Sequence, residues 1–256
     1  MLLRADILAE MDGPAVAVEN ATAAGPVVLV CEHASRDLPA SAGDLGLSPE
    51  ALASHIAWDP GALAVARQLR DRLDALLIFQ RFSRLLYDCN RPPESPAAMP
   101  VKSEVYQIPG NVDLTVAERY ARTAAFYVPF HDRISTELQL RTASGRPSVL
   151  VTVHSFTPVY FGERRAVEIG ILHDDDSRLA DMMLTEAASG PYRVARNEPY
   201  GPVDGVTHSL RLHALPYGHL NVMIEVRNDL IDNDQGQREV ADYLAHLITH
   251  ALERMA

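Results

Sequence analysis

The sequence predicts an α/β fold, a central sheet covered by helices on both faces. Three observations carry this. The runs Val27-Val28-Leu29-Val30-Cys31, Val149-Leu150-Val151-Thr152-Val153 and Val222-Met223-Ile224 are short and almost wholly apolar, without alternation. Such runs read as strands buried on both faces. Strand-like and helix-like segments also alternate along the chain, the pattern of a helix-covered sheet. Finally, 256 residues with no repeat, low-complexity tract or linker favour one domain spanning 1–256.

Taken in order, residues 1–25 are Ala-rich and weakly patterned, an edge segment or arm. The first strand is expected at about 26–31. Arg36 to Leu47 contains Pro39, Gly43 and Gly46 and reads as a loop. Ser48-Pro49-Glu50 places an N-cap before a proline at the first helical position, so a short helix should run to about residue 56. Trp58-Asp59-Pro60-Gly61 interrupts it, and a second helix spans about 61–74. Strands follow at 76–79 and 85–88. Residues 92–114, rich in proline, form a long loop, and loops of that length are usually functional. Thr115-Val116-Ala117-Glu118 is a capping box opening a helix to about residue 140, which Pro129 should kink or break. Strands near 148–153 and 166–172, a helix at 177–188, a Gly-, Pro- and His-rich loop at 197–218, a strand at 220–226 and a helix at 236–254 complete the reading.

The net charge of -11 argues against non-specific nucleic-acid binding and disfavours anionic membrane surfaces. No apolar run approaches the roughly 18 residues of a membrane helix, and Met1 to Glu10 lacks a signal-peptide core. With only Cys31 and Cys89, a disulfide framework is not expected. The expected setting is the cytoplasm, without nucleic-acid or membrane partners, and a homo-oligomer stays open.

Each apolar run delivers an ionisable side chain where it stops: His33, His154 and Glu225. In open α/β sheets ligands bind at the carboxyl ends of strands. A histidine there can be a satisfied core residue. Two of them with Asp59 also form the kind of donor set that holds zinc and leaves a position for water. Glu225 is the candidate base, its alternative being an ion pair with Arg227. Arg84 and Arg91 suit a bidentate grip on carboxylates, or equally a structural pair with Asp88 or Glu94. His208, His213 and His219 could line a pocket. His173 beside three aspartates suits a surface turn or a metal, and His246 and His250 a solvated helix face.

Cys-Glu-His-Ala-Ser (31–35), His-Ile-Ala-Trp-Asp-Pro-Gly-Ala (55–62), Ser-Arg-Leu-Leu-Tyr-Asp-Cys-Asn-Arg-Pro (83–92), Val-His-Ser-Phe-Thr-Pro (153–158) and Ile-Glu-Val-Arg-Asn-Asp-Leu (224–230) together resemble the N-formylglutamate amidohydrolase family. The resemblance implies a three-layer α/β/α fold with a mixed, mostly parallel sheet, similar to phosphorylase/hydrolase-like zinc exopeptidases. It implies hydrolysis of N-formyl-L-glutamate to formate and L-glutamate, a step of histidine degradation. It makes zinc or another divalent metal the expected cofactor, with His33 and His154 as ligands, Asp59 or Glu32 as the third, and Glu225 as base. The ligand glutamate that carboxypeptidase-like enzymes carry three residues after the first histidine is Arg36 here. Arg84, Asn90, Arg91, Arg227 and His219 become the expected grip on a small anionic N-acyl amino acid. Alternatives are a deacylase of another small substrate and a non-catalytic anion- or metal-binding member.

Overall fold

The computed structural model describes residues 7–255. Seven strands build the central sheet: β1 (Val16–Glu19), β2 (Val27–Cys31), β3 (Leu76–Gln80), β4 (Val149–Phe156), β5 (Ile169–Leu172), β6 (Val194–Arg196) and β7 (Leu220–Arg227). Their spatial order is β1-β3-β2-β4-β7-β5-β6. β3, β2, β4 and β7 run parallel, and β5 lies antiparallel against β7, as does β1 against β3. The sheet is therefore mixed and mostly parallel.

The helices are α1 (Pro49–Ala53), α2 (Ala62–Leu73), α3 (Val116–Arg122), α4 (Val128–Ala143), α5 (Arg178–Ala187), α6 (His208–His213) and α7 (Asp234–Met255). Successive residues of β2 feed opposite cores. Val27, Leu29 and Cys31 pack with α2, α5 and α7, while Val28 and Val30 pack with α1, α4 and α6. That is why the run shows no alternation: both faces are dry. Burying one such side chain stabilises the fold by about 1.5–3 kcal/mol. A hydrogen bond contributes only about 0.5–1.5 kcal/mol net, so the apolar pattern decides which segments become central strands.

Several expectations change. Leu85–Asp88 is not a strand but a series of turns, begun by Leu86 N donating to Ser83 O and by Leu85 N donating to the Ser83 hydroxyl. Leu85, Leu86 and Tyr87 are buried in the α4-side core, and burial rather than sheet pairing explains the apolar run. The helix expected at 115–140 opens on the Thr115–Glu118 capping box. It then passes through a wide π-turn at Thr123–Tyr127 before α4. That turn absorbs Pro129, which has no N–H to continue the ladder. Helix α6 lies within the expected loop at 197–218, strand β6 forms just before it where no element was expected, and the strand expected at 166–172 is confined to Ile169–Leu172. Among the described residues no helix is long and apolar enough to cross a membrane.

Candidate active site

The chain leaves β2 toward β3 on one side, and β4 lies on the other. This is a topological switch point, where the loops diverge and open a crevice. His33 follows β2 by two residues. His154 sits on β4, and Glu225 is its register partner on β7. Asp59 reaches the crevice from the turn before α2, whose backbone is tied down by Asp59 N donating to His33 O at 2.9 Å. The turn needs Gly61: its φ is +79°, and a Cβ there would lie 2.5 Å from Ile231 O.

Three donor atoms converge. His33 Nδ1 lies 3.3 Å and His154 Nδ1 2.9 Å from Asp59 Oδ2, and the two Nδ1 atoms are 3.2 Å apart. All three residues are buried. The outer ring nitrogens face carboxylates: His33 Nε2 is 2.7 Å from Asp88 Oδ1, and His154 Nε2 is 3.1 Å from Glu32 Oε2, the latter off hydrogen-bonding angle. A carboxylate behind each Nε2 keeps a proton there and turns the Nδ1 lone pair inward, the arrangement of metal-ligating histidines. Ligands about 2.0–2.1 Å from a tetrahedral metal stand roughly 3.3 Å apart. His33, Asp59 and His154 therefore fit a divalent cation.

The electrostatics agree with the geometry. Burial alone would raise the Asp59 carboxyl, but His33 and His154 hold it far below the usual carboxylate range. Burial likewise opposes ionisation of Asp88 and Glu32. Arg84 and His33 outweigh it at Asp88, and His154 and Ser209 bring Glu32 down to about 2. Burial disfavours a charged His154, yet Glu32 and Asp59 raise its pKa well above the ordinary value. Glu225 differs. Burial pushes its pKa up to about 7, and its Oε2 has no hydrogen-bond partner among the described residues. Beside it, Gly170 on β5 lets Glu198 pass close by, since a Cβ would stand 2.1 Å from Glu198 O.

The crevice opens into a cavity of about 540 Å³ lined by His33, Asp59, His154 and Glu225 together with Arg84, Asn90 and Arg91. That volume suits a small metabolite. Arg84 pairs with Asp59 at 3.4 Å and Asp88 at 2.6 Å. Asn90 donates to Val206 O and accepts from Ser209 N, tying the turn to α6.

Three expected site residues lie elsewhere. Glu32 is not in the donor cluster; its carboxylate stands behind His154 and accepts from the Ser209 hydroxyl at 2.6 Å. Arg227 points away from the cavity, pairing with Asp229 at 2.8 Å and Glu168 at 3.4 Å, so it does not neutralise Glu225. His219 precedes β7, at the strand end opposite Glu225, about 20 Å away along the strand. It lines a separate cavity of about 330 Å³ with His213 and Tyr217. Sequence reasoning gave no site role to Asp88, Arg165 or Tyr200. Asp88 was hidden at the end of an apolar run that looked like a strand.

Fold and site define a class: a helix-covered, mixed α/β sheet with a His-Asp-His cluster that could hold a metal, and a carboxyl without a partner among the described residues, at the carboxyl edge of the sheet. The sequence matches the family description N-formylglutamate amidohydrolase over residues 25–232, and the chain belongs to that family. Its role is that of an amidohydrolase. It is similar to a gene product from Agrobacterium tumefaciens whose crystal structure is known, with 63% identity and a TM-score of 0.96 over 97% of this chain and 99% of that one. It also shares its fold with the N-formylglutamate amidohydrolase from Ralstonia eutropha, with 20% identity and a TM-score of 0.61 over 93% and 97% of the two chains. No curated protein matches it.

Proposed function

We propose that the protein is a metal-dependent amidohydrolase that cleaves the amide C–N bond of a small N-acylated acidic amino acid, N-formyl-L-glutamate foremost. The observation that carries this is the Glu225 carboxyl, buried, unpartnered and poised at about 7 next to the His33–Asp59–His154 cluster. A base is most effective when its pKa lies near the working pH. Zinc or another divalent cation, held by His33, Asp59 and His154, would supply Lewis acidity toward the acyl oxygen and lower the pKa of water.

Glu225 takes a proton from the water that adds to the acyl carbon and returns it to the amide nitrogen as the C–N bond breaks. Formate and the free amino acid leave. Asp88 and Glu32 orient the two histidine rings, and Arg84 keeps Asp88 ionised. The two buried, unpaired cysteines suit the reducing cytoplasm, where a step of histidine degradation would run.

The test is formate release from N-formyl-L-glutamate by wild type and Glu225→Gln, with bound metal measured in both. The variant should lose about 10²–10⁴-fold in turnover at unchanged metal content. Near-normal turnover in Glu225→Gln removes it from the role of base.

A further inference from the structure

This inference rests on the hydrolytic reading above and concerns what that site selects. The cavity holds three guanidinium groups, and they are not equivalent. Arg84 is committed to Asp59 and Asp88. Arg91 donates to the carbonyls of Asn90 at 2.9 Å and Gly205 at 2.8 Å, with no carboxylate partner among the described residues. Arg165 has no carboxylate partner there either. Its side-chain hydrogen bonding among the described residues is a long 3.5 Å approach to Thr157 O.

What holds Arg165 is aromatic. Its guanidinium carbon lies 4.5 Å from the Tyr160 ring centre, 4.8 Å from Tyr200 and 5.5 Å from Phe156. Rings fix the direction of the guanidinium through cation–π attraction without cancelling its charge. The acids nearby are engaged elsewhere: Glu104 pairs with His55 at 3.1 Å, and Asp204 accepts from Gly201 N at 2.8 Å. Arg227 explains its own absence from the cavity. Its Nη1 donates to the carbonyls of Arg165 at 3.3 Å and Val167 at 3.4 Å, so it steadies the segment that carries Arg165.

A fixed, unpaired guanidinium in a cavity of a strongly acidic protein is a receptor for a carboxylate. We propose that Arg165 reads the side-chain carboxylate of the substrate, while the Asn90–Arg91 turn takes the α-carboxylate. The enzyme thereby selects N-acyl derivatives of dicarboxylic amino acids. The topology assigns the two positions. The turn is tied to His33 through Asp88, so it keeps a constant distance from the metal cluster, as the α-carboxylate does from the scissile amide. Arg165 stands beyond β4, at the end of the short ribbon Val159–Tyr160 with Glu163–Arg164, outside the sheet edge. That position suits the far end of a side chain.

The experiment compares wild type with Arg165→Gln on N-formyl-L-glutamate, N-formyl-L-glutamine and N-formyl-L-methionine, with zinc supplied. Wild type should favour glutamate over glutamine in kcat/KM by about 10- to 100-fold, the worth of charge-assisted contacts. Arg165→Gln should lose that preference and leave the two neutral substrates unchanged, and Arg165→Lys should recover part of it. A glutamate preference that survives in Arg165→Gln overturns the proposal, and so does an equal loss on all three substrates. Should wild type release formate from none of them, the hydrolytic reading fails, and calorimetric titration of L-glutamate and L-glutamine into both proteins decides this one alone. Glutamate binding weakened by Arg165→Gln, with glutamine unaffected, supports Arg165 as the carboxylate reader. Any other titration result overturns it.

Discussion

Two buried histidine clusters lie on the same side of the sheet and behave in opposite ways. In the first, His33 and His154 are surrounded by Asp59, Asp88 and Glu32. In the second, His131 Nδ1 lies 2.7 Å from His213 Nε2, and the remaining partners are the carbonyl of Cys89 and the hydroxyl of Ser135. Burial lowers the pKa of His131 to about 4 and of His213 to about 3, whereas carboxylates overcome the same burial at His154 and raise it. His131 Nε2 donates to Cys89 O, so its Nδ1 accepts from His213, whose Nδ1 faces Ser135. Every lone pair in that chain is used internally. In the first cluster the outer ring nitrogens face acids and the two Nδ1 atoms converge on the single oxygen Asp59 Oδ2. The lesson is that ring partners, not burial, separate a structural histidine pair from a ligand site.

The largest effect should come from removing a donor. His154→Ala is expected to abolish zinc retention and lower turnover at least about 10³-fold, whereas His213→Gln should retain the metal. Metal analysis after dialysis reads both, and equal zinc loss in the two variants would erase the distinction. A smaller effect is expected one bond further out. Asp88→Asn keeps the hydrogen-bonding shape but removes the charge behind His33, and zinc affinity should fall about 10- to 100-fold. A chelator competition showing unchanged affinity would mean that Asp88 only positions the turn.

The smallest effect concerns the second cluster and pH. Both folded pKa values lie below the ordinary 6.5, so the unfolded chain binds protons that the fold refuses. Stability from these rings is therefore complete above pH 6.5 and is lost as pH falls toward about 4. Between pH 7 and 5 the loss is about 2 kcal/mol per ring. Urea unfolding at the two pH values should show it, and His213→Gln should shrink it. An unchanged pH dependence in that variant would contradict a neutral, buried pair.

Much of the frame could be read from the chain because its cause is local. β2, β4 and β7 lack alternation since both faces are buried, and the Thr115–Glu118 box and the Ser48 cap act within four residues. Leu85–Asp88 misled because apolar runs report burial and not hydrogen-bond geometry. Arg227 and His219 misled for a different reason. Arg227 ends β7 and His219 precedes it, but the first is satisfied by Asp229, Glu168 and the carbonyls of a neighbouring segment, and the second lies at the wrong end of the strand. Arg165 gave no signal, because its setting is completed by Tyr200, remote in sequence, which joins Phe156 and Tyr160 around it only in the folded chain.

The sequence by itself determined the α/β class, the buried strands, and the delivery of His33, His154 and Glu225 to their ends. Hydrophobic periodicity and strand direction are properties of short segments, and they need no partner to be written down. Tertiary structure alone decided that Asp59 rather than Glu32 joins the two Nδ1 atoms, that Asp88 stands behind His33, and that Glu225 has no hydrogen-bond partner among the described residues. These depend on distances of 2.7–3.3 Å between residues up to 121 positions apart. Only the packing of the switch-point loops over the sheet edge sets them, and the same packing removes the water that would otherwise level the pKa values of these acids and histidines.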